Sequence, residues 1–484
     1  MGAGAERASA EFLDKEIKNF SIDSRSVERG ELFFALSQAD YERAGFNGYF
    51  ADAHQFIPQA LEIGAVAAVA RLDHARNDPA LAALGDRLLL VEDAIAALQQ
   101  LARKVYEAWG RKVVGITGSA GKTTAKELTA HLLAATGRRV LKSERNYNNG
   151  LGLPLAVLQM VTEGRSPDDF DLAVLEMGMS SPTHEIERLC RITPPDIGVE
   201  LLVAPVHLEY LGTIENIAAA KAELIEGLKP GGVAVLNADD PLVLAMRDKH
   251  DGPMLTFGIE NQADVMATRI DTTRFGRSSF NLRTPLGESP ALLPMTGRHN
   301  LMNALAAAAV ATCFEIGPTE IAAALSSVRP PQMRGEVLDF AAGFTVVDDS
   351  YNSNPRSLLS MVRAISETEA TARRRIVVAG EMLELGPTGA EMHREAGREI
   401  VESGMDMLWG VRGLALSLVE GARAAGMDER AARFFETSEE AGAALCAEIG
   451  EGDLVLVKGS RGVRTDKIVR MLRDRFPVTG GDEG

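Results

Sequence analysis

Short apolar runs separated by polar loops and helical stretches recur along the whole chain. In the first part, apolar runs at 32–36 and 65–70 alternate with polar loops, which predicts a small α/β domain. From Glu92 to Trp109 the apolar residues recur at helical spacing, so a connecting helix is predicted there. The next part alternates strands with helical stretches, which is typical of a mostly parallel sheet. Its strands are predicted at 172–175, 197–203 and 233–236, with antiparallel ribbons appended over 264–293.

The alternation of strands and helices restarts after Pro330-Pro331. Strands are predicted at 344–347, 376–379, 407–411 and 454–457, each followed by a helical run. This order predicts a doubly wound, Rossmann-like domain, and the domain has no G-x-G-x-x-G motif that would favour NAD. The predicted fold class is therefore α/β, in three domains. We predict their bounds as 1–92, 93–329 and 330–484.

A glycine-rich turn joins the valine-rich run at 113–117 to a helix predicted at 125–136. Its first glycine, Gly115, stands one residue earlier than in the usual P-loop spacing, but the flanking strand and helix match that motif. In such a turn the backbone N–H groups and the helix N-terminus bind phosphate, a lysine supplies a mobile cation and a threonine hydroxyl can hold Mg²⁺. We therefore predict a site for ATP or GTP; the alternative is an ordinary glycine-rich turn. Its residues are Gly118, Ser119, Ala120, Gly121, Lys122, Thr123 and Thr124.

Composition narrows the classes of partner. A formal net charge of -17 repels nucleic acid and anionic lipid, so nucleic acid is not expected as a partner and phosphate must be bound by local sites. Cys190, Cys313 and Cys446 lack metal-ligand spacing, which favours reduced thiols in a cytosolic chain rather than a zinc site. No signal peptide is visible, and no apolar stretch is long enough for membrane insertion. These features predict a cytoplasmic protein.

Five polar residues after the P-loop each have both a chemical and a structural interpretation. Glu176 ends a buried-looking strand, where its carboxylate suits Mg²⁺ or forms a salt bridge. His207 follows another predicted strand, and a lone histidine is more often structural. Lys221 lies on a predicted helix, where a lysine is usually a solvated charge. Asn300 and Asn303 open an alanine-rich helix, either as its cap or facing a nucleotide. Only the combination of these residues favours a catalytic site.

Polar side chains also gather at two strand ends of the third domain. The loop at 348–355 concentrates acids, a tyrosine and asparagines, and helix capping explains only its last two residues. The loop at 458–462 places two cations, Lys458 and Arg461, in flexible backbone. Such a loop suits a carboxylate or a phosphate.

Taken together, these motifs resemble the Mur ligase family, the ATP-dependent ligases of peptidoglycan precursors, over nearly the whole chain. The runs at 348–355, 381–386 and 458–462 resemble the branch of that family that adds D-alanyl-D-alanine. The motifs that occur in the family's order are the P-loop at 117–124, Glu176, His207, Lys221, the Gly-x-His-Asn-x-x-Asn run from Gly297, and Arg334.

The resemblance implies a ligase that joins D-alanyl-D-alanine to UDP-N-acetylmuramoyl-tripeptide through an acyl phosphate. It also implies an N-terminal domain for the UDP-sugar, a central ATPase with ATP and two Mg²⁺ ions, a closing C-terminal domain, a Lys221 N-carboxylated by CO₂, and a monomer. The implied catalytic residues are Lys122, His207, Lys221 and Arg334. The implied nucleotide contacts include Asn300, Asn303, Arg334 and Asp348, and the implied metal ligands are Thr123, Glu176, His207 and Lys221. The implied substrate contacts are Ser24, Arg25, His54, Asn146, Asn148, Asn149, Asp349, Tyr351, Asn352, Asn354, Lys458 and Arg461.

Three departures from the family pattern concern local substrate contacts. Met333 precedes Arg334 where glycine is usual, Leu201-Leu202 replaces a Thr-Asn pair, and the run at 182–185, with Thr183-His184, is one residue longer than the common form. The alternatives within the same chemistry are a sibling ligase that adds diaminopimelate or lysine, and a folylpolyglutamate-type synthetase. The alternative from another class is a nucleotide-dependent binding or scaffold protein that kept the P-loop and lost ligation.

Overall fold

The N-terminal part of the chain forms a small parallel sheet. The computed structural model describes residues 15–46, 49–144, 147–179, 184–205, 211–273, 276–329, 332–367 and 372–479. The first sheet has the strand order β1-β2-β3-β4, with β1 at Asn19–Ser21, β2 at Glu31–Phe34, β3 at Ala67–Arg71 and β4 at Leu88–Val91. Its helices are Gln38–Arg43, Ile57–Ile63, Leu72–Asn77 and Pro79–Ala82. The connecting helix, Ala94–Trp109, is capped by Asp93 and leads into the second sheet.

The second sheet has nine strands in the order β13-β12-β11-β10-β9-β8-β5-β7-β6. They are β5 Lys112–Thr117, β6 Val140–Lys142, β7 Leu172–Glu176, β8 Ile197–Glu200, β9 Val233–Asn237, β10 Met254–Gly258, β11 Val265–Asp271, β12 Ser278–Thr284 and β13 Gly287–Leu293. Only the β11–β12 and β12–β13 pairings are antiparallel, as the sequence predicted for the appended ribbons. The helices are Lys122–Ala134, Gly152–Leu158, Glu185–Ile192, Ile214–Glu226, Pro241–Leu244, Arg298–Cys313 and Pro318–Ser326.

The third sheet has six strands in the order β14-β15-β19-β16-β17-β18, and only β14 is antiparallel to its neighbour. They are β14 Glu336–Asp339, β15 Thr345–Asp349, β16 Arg374–Gly380, β17 Met407–Val411, β18 Ala432–Phe435 and β19 Asp453–Lys458. The helices are Pro355–Ser366, Gly389–Glu402, Ala415–Ala424, Ser438–Glu448 and Asp466–Arg475. The second and third of these helices touch backbone to backbone, since a Cβ at Gly397 would lie 2.0 Å from the Leu418 carbonyl oxygen.

Apolar side chains on both faces of the central sheet explain why its strands read as nearly continuous apolar runs. In β5, Val114 and Ile116 pack with Leu301 and Leu305 of the helix Arg298–Cys313, whereas Val113 packs on the opposite face. Each such fully buried aliphatic side chain stabilises the fold by roughly 1.5–3 kcal/mol. Because parallel strands end at the same edge, the loops after β5, β7 and β8 all meet there.

Two element bounds differ from the sequence prediction for a local reason. The P-loop helix begins at Lys122 rather than at 125, because Gly121 caps it in a left-handed conformation. The strand predicted over 197–203 ends at Glu200, where the chain leaves the ladder. Beyond that point the Leu202 carbonyl accepts the Ser119 N–H at 2.8 Å, so these residues support the P-loop instead. In the described part of the chain, no helix is both long and apolar enough to cross a bilayer.

Candidate active site

The P-loop is fitted closely against the helix Arg298–Cys313. Gly121 has φ +86°, and a Cβ there would lie 2.3 Å from Asn303 Oδ1, so glycine is required both by conformation and by space. The Lys122 ammonium donates to the Gly118 carbonyl at 2.8 Å. Burial lowers the pKa of Lys122, while the carboxylate of Glu176 opposes that shift. A phosphate anion in the loop would add negative charge beside this half-buried cation.

Oxygen ligands for a hard cation meet beside the P-loop. The Thr123 hydroxyl donates to Glu176 Oε2 at 2.8 Å, and the Asn148 amide donates to Glu176 Oε1 at 2.9 Å. The Glu176 N–H is bonded to the Ser143 hydroxyl at 3.1 Å, which fixes the end of β7. A hydroxyl and a carboxylate at this spacing form a donor set that suits Mg²⁺. The sequence predicted Thr123 and Glu176 as partners, and the structure brings them together.

A second buried group, which we call the orphan cluster, consists of Thr117, Glu200 and Lys221. Thr117 and Glu200 are paired across β5 and β8. The Thr117 hydroxyl and both Glu200 carboxyl oxygens are buried and have no hydrogen-bond partner among the described residues. Burial raises the pKa of Glu200 to about 8, against the opposing charges of Lys221 and Lys122. Burial lowers the pKa of Lys221 to about 7, against the charge of Glu200. Lys221 is 2% exposed, so its interpretation as a surface charge is wrong.

In the described part of the chain, Arg356 and Ser360 of the third domain contact the central domain. The Arg356 guanidinium donates to the Val203 carbonyl at 3.3 Å, and the Ser360 hydroxyl is 3.0 Å from His299 Nδ1. Burial lowers the pKa of His299 to about 4, so its ring is neutral at physiological pH. Arg356 was missed in the sequence, where it reads as a surface helix residue. His299 stood within a recognised motif without a role of its own.

The polar loops of the third domain are also partly paired. Lys458 Nζ donates to Asp349 Oδ2 at 2.6 Å and to the Asn352 carbonyl at 2.9 Å. Burial raises the pKa of Asp348 to about 6, although the Ser350 hydroxyl donates to it at 2.6 Å and opposes that shift. Lys458 is therefore committed to an internal carboxylate, which leaves Arg461 as the exposed cation of the same loop.

One cavity of about 770 Å³ lies between the P-loop and the third domain and collects most of the predicted site residues. Those that line it are Ser119, Ala120, Gly121, Lys122, Thr123, Thr124, Asn148, Asn149, Glu176, Asn300, Asn303, Arg334, Asp349, Tyr351, Asn352, Asn354, Lys458 and Arg461. Gly118, Lys221 and Asp348 are not among the described lining residues. His207 and Asn146 lie outside the described residues, as does Thr183 of the longer run.

The predicted N-terminal contacts lie elsewhere and have local roles. Ser24 and Arg25 begin a short turn capped by Asp23, and the Arg25 side chain is 87% exposed. His54 is buried: its Nδ1 lies 2.7 Å from Asp52 Oδ1, and its Nε2 accepts the Arg71 N–H at 2.9 Å. These two bonds leave no free ring nitrogen on His54.

Asp52, His54 and His74 form the one group in the described chain whose ligand atoms lie close enough for a metal ion. The two imidazole rings are stacked, with centroids 4.0 Å apart and planes 19° apart, so their in-plane lone pairs run side by side instead of converging. The Arg71 N–H also requires an unprotonated Nε2 on His54, which places the proton on Nδ1. The group is therefore a hydrogen-bonded structural cluster.

Comparisons with known proteins agree with this architecture. The family model of the Mur ligase middle domain matches residues 116–311. The family model of the Mur ligase, glutamate ligase domain, matches residues 333–461. The chain is 33% identical to the UDP-N-acetylmuramoyl-tripeptide–D-alanyl-D-alanine ligase of Bacillus subtilis, covering 96% of this chain and 95% of that protein. The same enzyme of Escherichia coli is 31% identical, with 94% and 93% covered.

Solved structures give the same result. A crystal structure of MurF from Acinetobacter baumannii superposes with a TM-score of 0.80 at 28% identity, covering 95% of this chain and 94% of that one. MurF from Thermotoga maritima, solved in complex with ADP, gives a TM-score of 0.77 at 27% identity, covering 96% and 98%. The α/β architecture of the sequence prediction is confirmed by these relatives. On the motifs, the cavity and these likenesses, the chain belongs to the Mur ligase family.

Proposed function

We propose that this protein is the ATP-dependent ligase that joins D-alanyl-D-alanine to UDP-N-acetylmuramoyl-tripeptide. The observation that carries the proposal is the shared cavity, in which the P-loop faces the 348–355 and 458–462 loops of the third domain. Relatives that carry this activity in their names match nearly the full length of the chain. A scaffold protein that had lost ligation would have no need for both halves of this cavity.

The first chemical step brings two anions together, so neutralising charge is the main task of the protein. The γ-phosphoryl group of ATP passes to the terminal carboxylate of the tripeptide, giving an acyl phosphate and ADP. Lys122 lies in the P-loop, and its charge interacts with that of Arg334 from the third domain. We assign both cations to the phosphates, where they stabilise the charge that develops during transfer.

Two Mg²⁺ ions would be held by oxygen and nitrogen donors beside the P-loop. We assign Thr123 and Glu176 to one ion, in accordance with their 2.8 Å contact, and His207 and a carboxylated Lys221 to the other. Bound there, the ions would supply positive charge to the transferring phosphoryl group. Asp348 lies near the end of β15, next to the cavity-lining Asp349, and we assign it to the ATP phosphates and their metals.

The surroundings of Lys221 suit its carboxylation by CO₂. Only a neutral amine can attack CO₂, and burial lowers the pKa of Lys221 to about 7, so the neutral form is populated at neutral pH. Within the part of the chain that the structure describes, the Thr117 hydroxyl and the Glu200 carboxyl have no hydrogen-bond partner. Because burial raises the pKa of Glu200 to about 8, it is protonated at neutral pH and can donate to the new carbamate oxygens. The orphan cluster thus provides the partners that a carbamate needs.

In the second step, the amine of D-alanyl-D-alanine attacks the acyl carbonyl, its proton is lost and phosphate leaves. We assign Arg461, together with Tyr351, Asn352 and Asn354, to the dipeptide, because all four line the cavity opposite the P-loop. Asn148 and Asn149 line it from the central domain and are assigned to the nucleotide-linked peptide. Holding the amine near the carbonyl lowers the barrier by positioning.

The UDP-sugar is assigned to the N-terminal domain. Ser24 and Arg25 are exposed enough to contact it directly, whereas His54 would act through the fold of its cluster because both ring nitrogens are bonded. We further propose a monomer that works in the cytoplasm, where ATP is available.

The decisive experiment measures phosphate release from ATP with UDP-N-acetylmuramoyl-tripeptide and one acceptor at a time. The acceptors are D-alanyl-D-alanine, D-alanine, diaminopimelate and glutamate. Only the dipeptide is expected to give stoichiometric phosphate and a ligated product. Preference for diaminopimelate with the shorter precursor would identify the sibling ligase. Preference for glutamate would identify a folylpolyglutamate-type synthetase. Slow hydrolysis independent of every acceptor would identify a nucleotide-binding protein without ligase activity.

A further inference from the structure

Two arginines of the third domain share a single aromatic ring. The Arg334 guanidinium carbon lies 4.1 Å from the centroid of the Tyr351 ring, and that of Arg461 lies 5.6 Å from it. Arg461 Nη1 is also 3.9 Å from the Met333 sulfur. The Tyr351 N–H donates to the Met333 carbonyl at 3.2 Å, which ties the two segments together. We call Met333, Arg334, Tyr351 and Arg461 the arginine cluster.

Met333 is held in an unfavourable backbone conformation. Its φ of +59° lies in the left-handed region, which a side chain with a Cβ rarely adopts and which explains why glycine is usual at this position. Such strain persists where the surroundings enforce it, and it is concentrated at functional sites. In this chain the strained residue brings a thioether into contact with Arg461, a contact that glycine could not make.

Both arginines are available to bind anions. Arg334 and Arg461 line the cavity, and among the described residues neither has a carboxylate within ion-pair distance. Lys458, the other cation of the 458–462 loop, is already bonded to Asp349 and to a backbone carbonyl. The Tyr351 ring lies within cation–π distance of both guanidinium groups, so a single aromatic ring stabilises two like charges.

We propose that Tyr351, supported by Met333, is a positioning residue that holds Arg334 toward the nucleotide phosphates and Arg461 toward the carboxylate of the acceptor dipeptide. A single ring then sets the distance between the two anion sites, so that filling one site orders the cation of the other. This inference rests on the proposed ligase function and adds to it a residue that couples ATP to the acceptor.

The first test compares Tyr351→Leu, which removes the aromatic face, with Tyr351→Phe, which keeps it. For Tyr351→Leu we expect the KM for D-alanyl-D-alanine to rise roughly tenfold and kcat to fall, in accordance with the loss of two cation–π contacts. Tyr351→Phe is expected to rescue most of both effects. Equal impairment of the two variants, or impairment of neither, would overturn the positioning role.

The second test is a double-mutant cycle with Arg461→Met. If Tyr351 acts through Arg461, removing the arginine must raise the KM for the dipeptide by a smaller factor in the Tyr351→Leu background than in the wild type. Multiplicative effects in the two backgrounds would show that Tyr351 has only a structural role. Melting temperatures of all variants check that they fold.

A variant at the other end of the cluster keeps the test independent of Tyr351. Met333→Gly relieves the positive φ and should raise the melting temperature, while the loss of the thioether contact should raise the KM for the dipeptide a few fold. An unchanged KM would remove Met333 from the proposal. A wild-type protein that ligates no acceptor would overturn the proposed function itself. If the wild type is active but the Tyr351→Leu and Arg461→Met effects on KM simply multiply, only the coupling is overturned.

Discussion

Two clusters of polar side chains, one half-buried in the first domain and one buried in the second, differ in how fully they are hydrogen-bonded. In the N-terminal cluster of Asp52, His54 and His74, every ring nitrogen has a carboxylate or a backbone N–H within 3.1 Å. In the orphan cluster, no described residue is a hydrogen-bond partner of the Thr117 hydroxyl or of either Glu200 carboxyl oxygen.

The difference is between polar groups that the fold itself satisfies and polar groups that it leaves unpaired. Each buried polar group left without a hydrogen bond costs about 1–3 kcal/mol, so the unpaired groups of the orphan cluster lower the stability of the fold. The N-terminal cluster incurs no such cost. The N-terminal cluster therefore resembles a metal site only in its residue types. The orphan cluster, which contains Lys221, is the one to which we assign chemistry.

The largest effect is expected from Lys221→Ala. Removing the proposed carbamate should reduce the ligation rate at least about a thousandfold, the upper range for loss of one electrostatic contributor, without unfolding the protein. A short carboxylic acid such as formate should restore part of the rate. Ligation assays check both points. Lys104→Ala is the control, because that side chain is 70% exposed and should change stability by less than about 0.5 kcal/mol. A lysine variant with wild-type activity would remove Lys221 from the site.

A smaller but still large effect is expected from Lys122→Ala. The Lys122 cation is assigned to the transferring phosphoryl group, so its removal should lower kcat roughly a hundredfold. Because burial lowers the pKa of Lys122, the variant also relieves a desolvated charge and should melt no lower than the wild type. Rate and melting temperature are measured on the same preparation. Near wild-type turnover would contradict the P-loop assignment.

The same isosteric change, threonine to valine, can be made at an unpaired and at a hydrogen-bonded hydroxyl. Thr117→Val removes an orphan hydroxyl and should stabilise the protein by about 1 kcal/mol while slowing ligation. The matched change Thr312→Val removes a hydroxyl that donates to the Ala308 carbonyl at 2.8 Å, so it should destabilise by a similar amount and leave ligation unchanged. Thermal melts and rates of the two variants should therefore move in opposite directions. Equal destabilisation of both would show that Thr117 is already satisfied.

The smallest effect is expected in the N-terminal cluster, and it depends on pH. Burial alone would lower the pKa of His74, but hydrogen bonds to Asp73 and Asp52 outweigh it and raise the pKa above that of the unfolded chain. The contribution to stability is therefore complete below about pH 6.5 and is lost as the pH rises through the folded-state pKa. His74→Gln should lower stability by about 1 kcal/mol at pH 6 and by much less at pH 9. A chelator should not change the melting temperature of the wild type, and a chelator-dependent melt would restore the metal interpretation.

Much of the fold was predictable because periodicity is local. The strand at 407–411 was predicted with its observed bounds, and most others fall within about two residues. The P-loop was recognisable because strand, turn and helix are contiguous in sequence. The antiparallel ribbons were predicted from the alternation of polar and apolar residues over 264–293.

The misses involve contacts between distant parts of the chain. Glu200 was read as part of an apolar strand, although a charged residue within such a run is itself a signal of a buried functional group. The state of His54 depends on the Arg71 N–H, which strand β3 supplies seventeen positions away. Arg356 reaches Val203 across 153 positions, a meeting that no local pattern encodes. The sequence therefore predicted which residues belong to the site, and the tertiary structure was needed to find how they are hydrogen-bonded.

The close approach of the helices Gly389–Glu402 and Ala415–Ala424 has a mechanical consequence. With the backbones in contact at Gly397 and Gly421, these helices cannot slide or tilt against each other without steric overlap. We therefore expect this part of the third domain to move as a rigid unit. The third domain contacts the central domain through Arg356 and Ser360, so we expect a substrate that moves the third-domain loops to displace these contacts as well. Alanine at Gly397 or Gly421 would push the two helices apart and make the third domain less rigid.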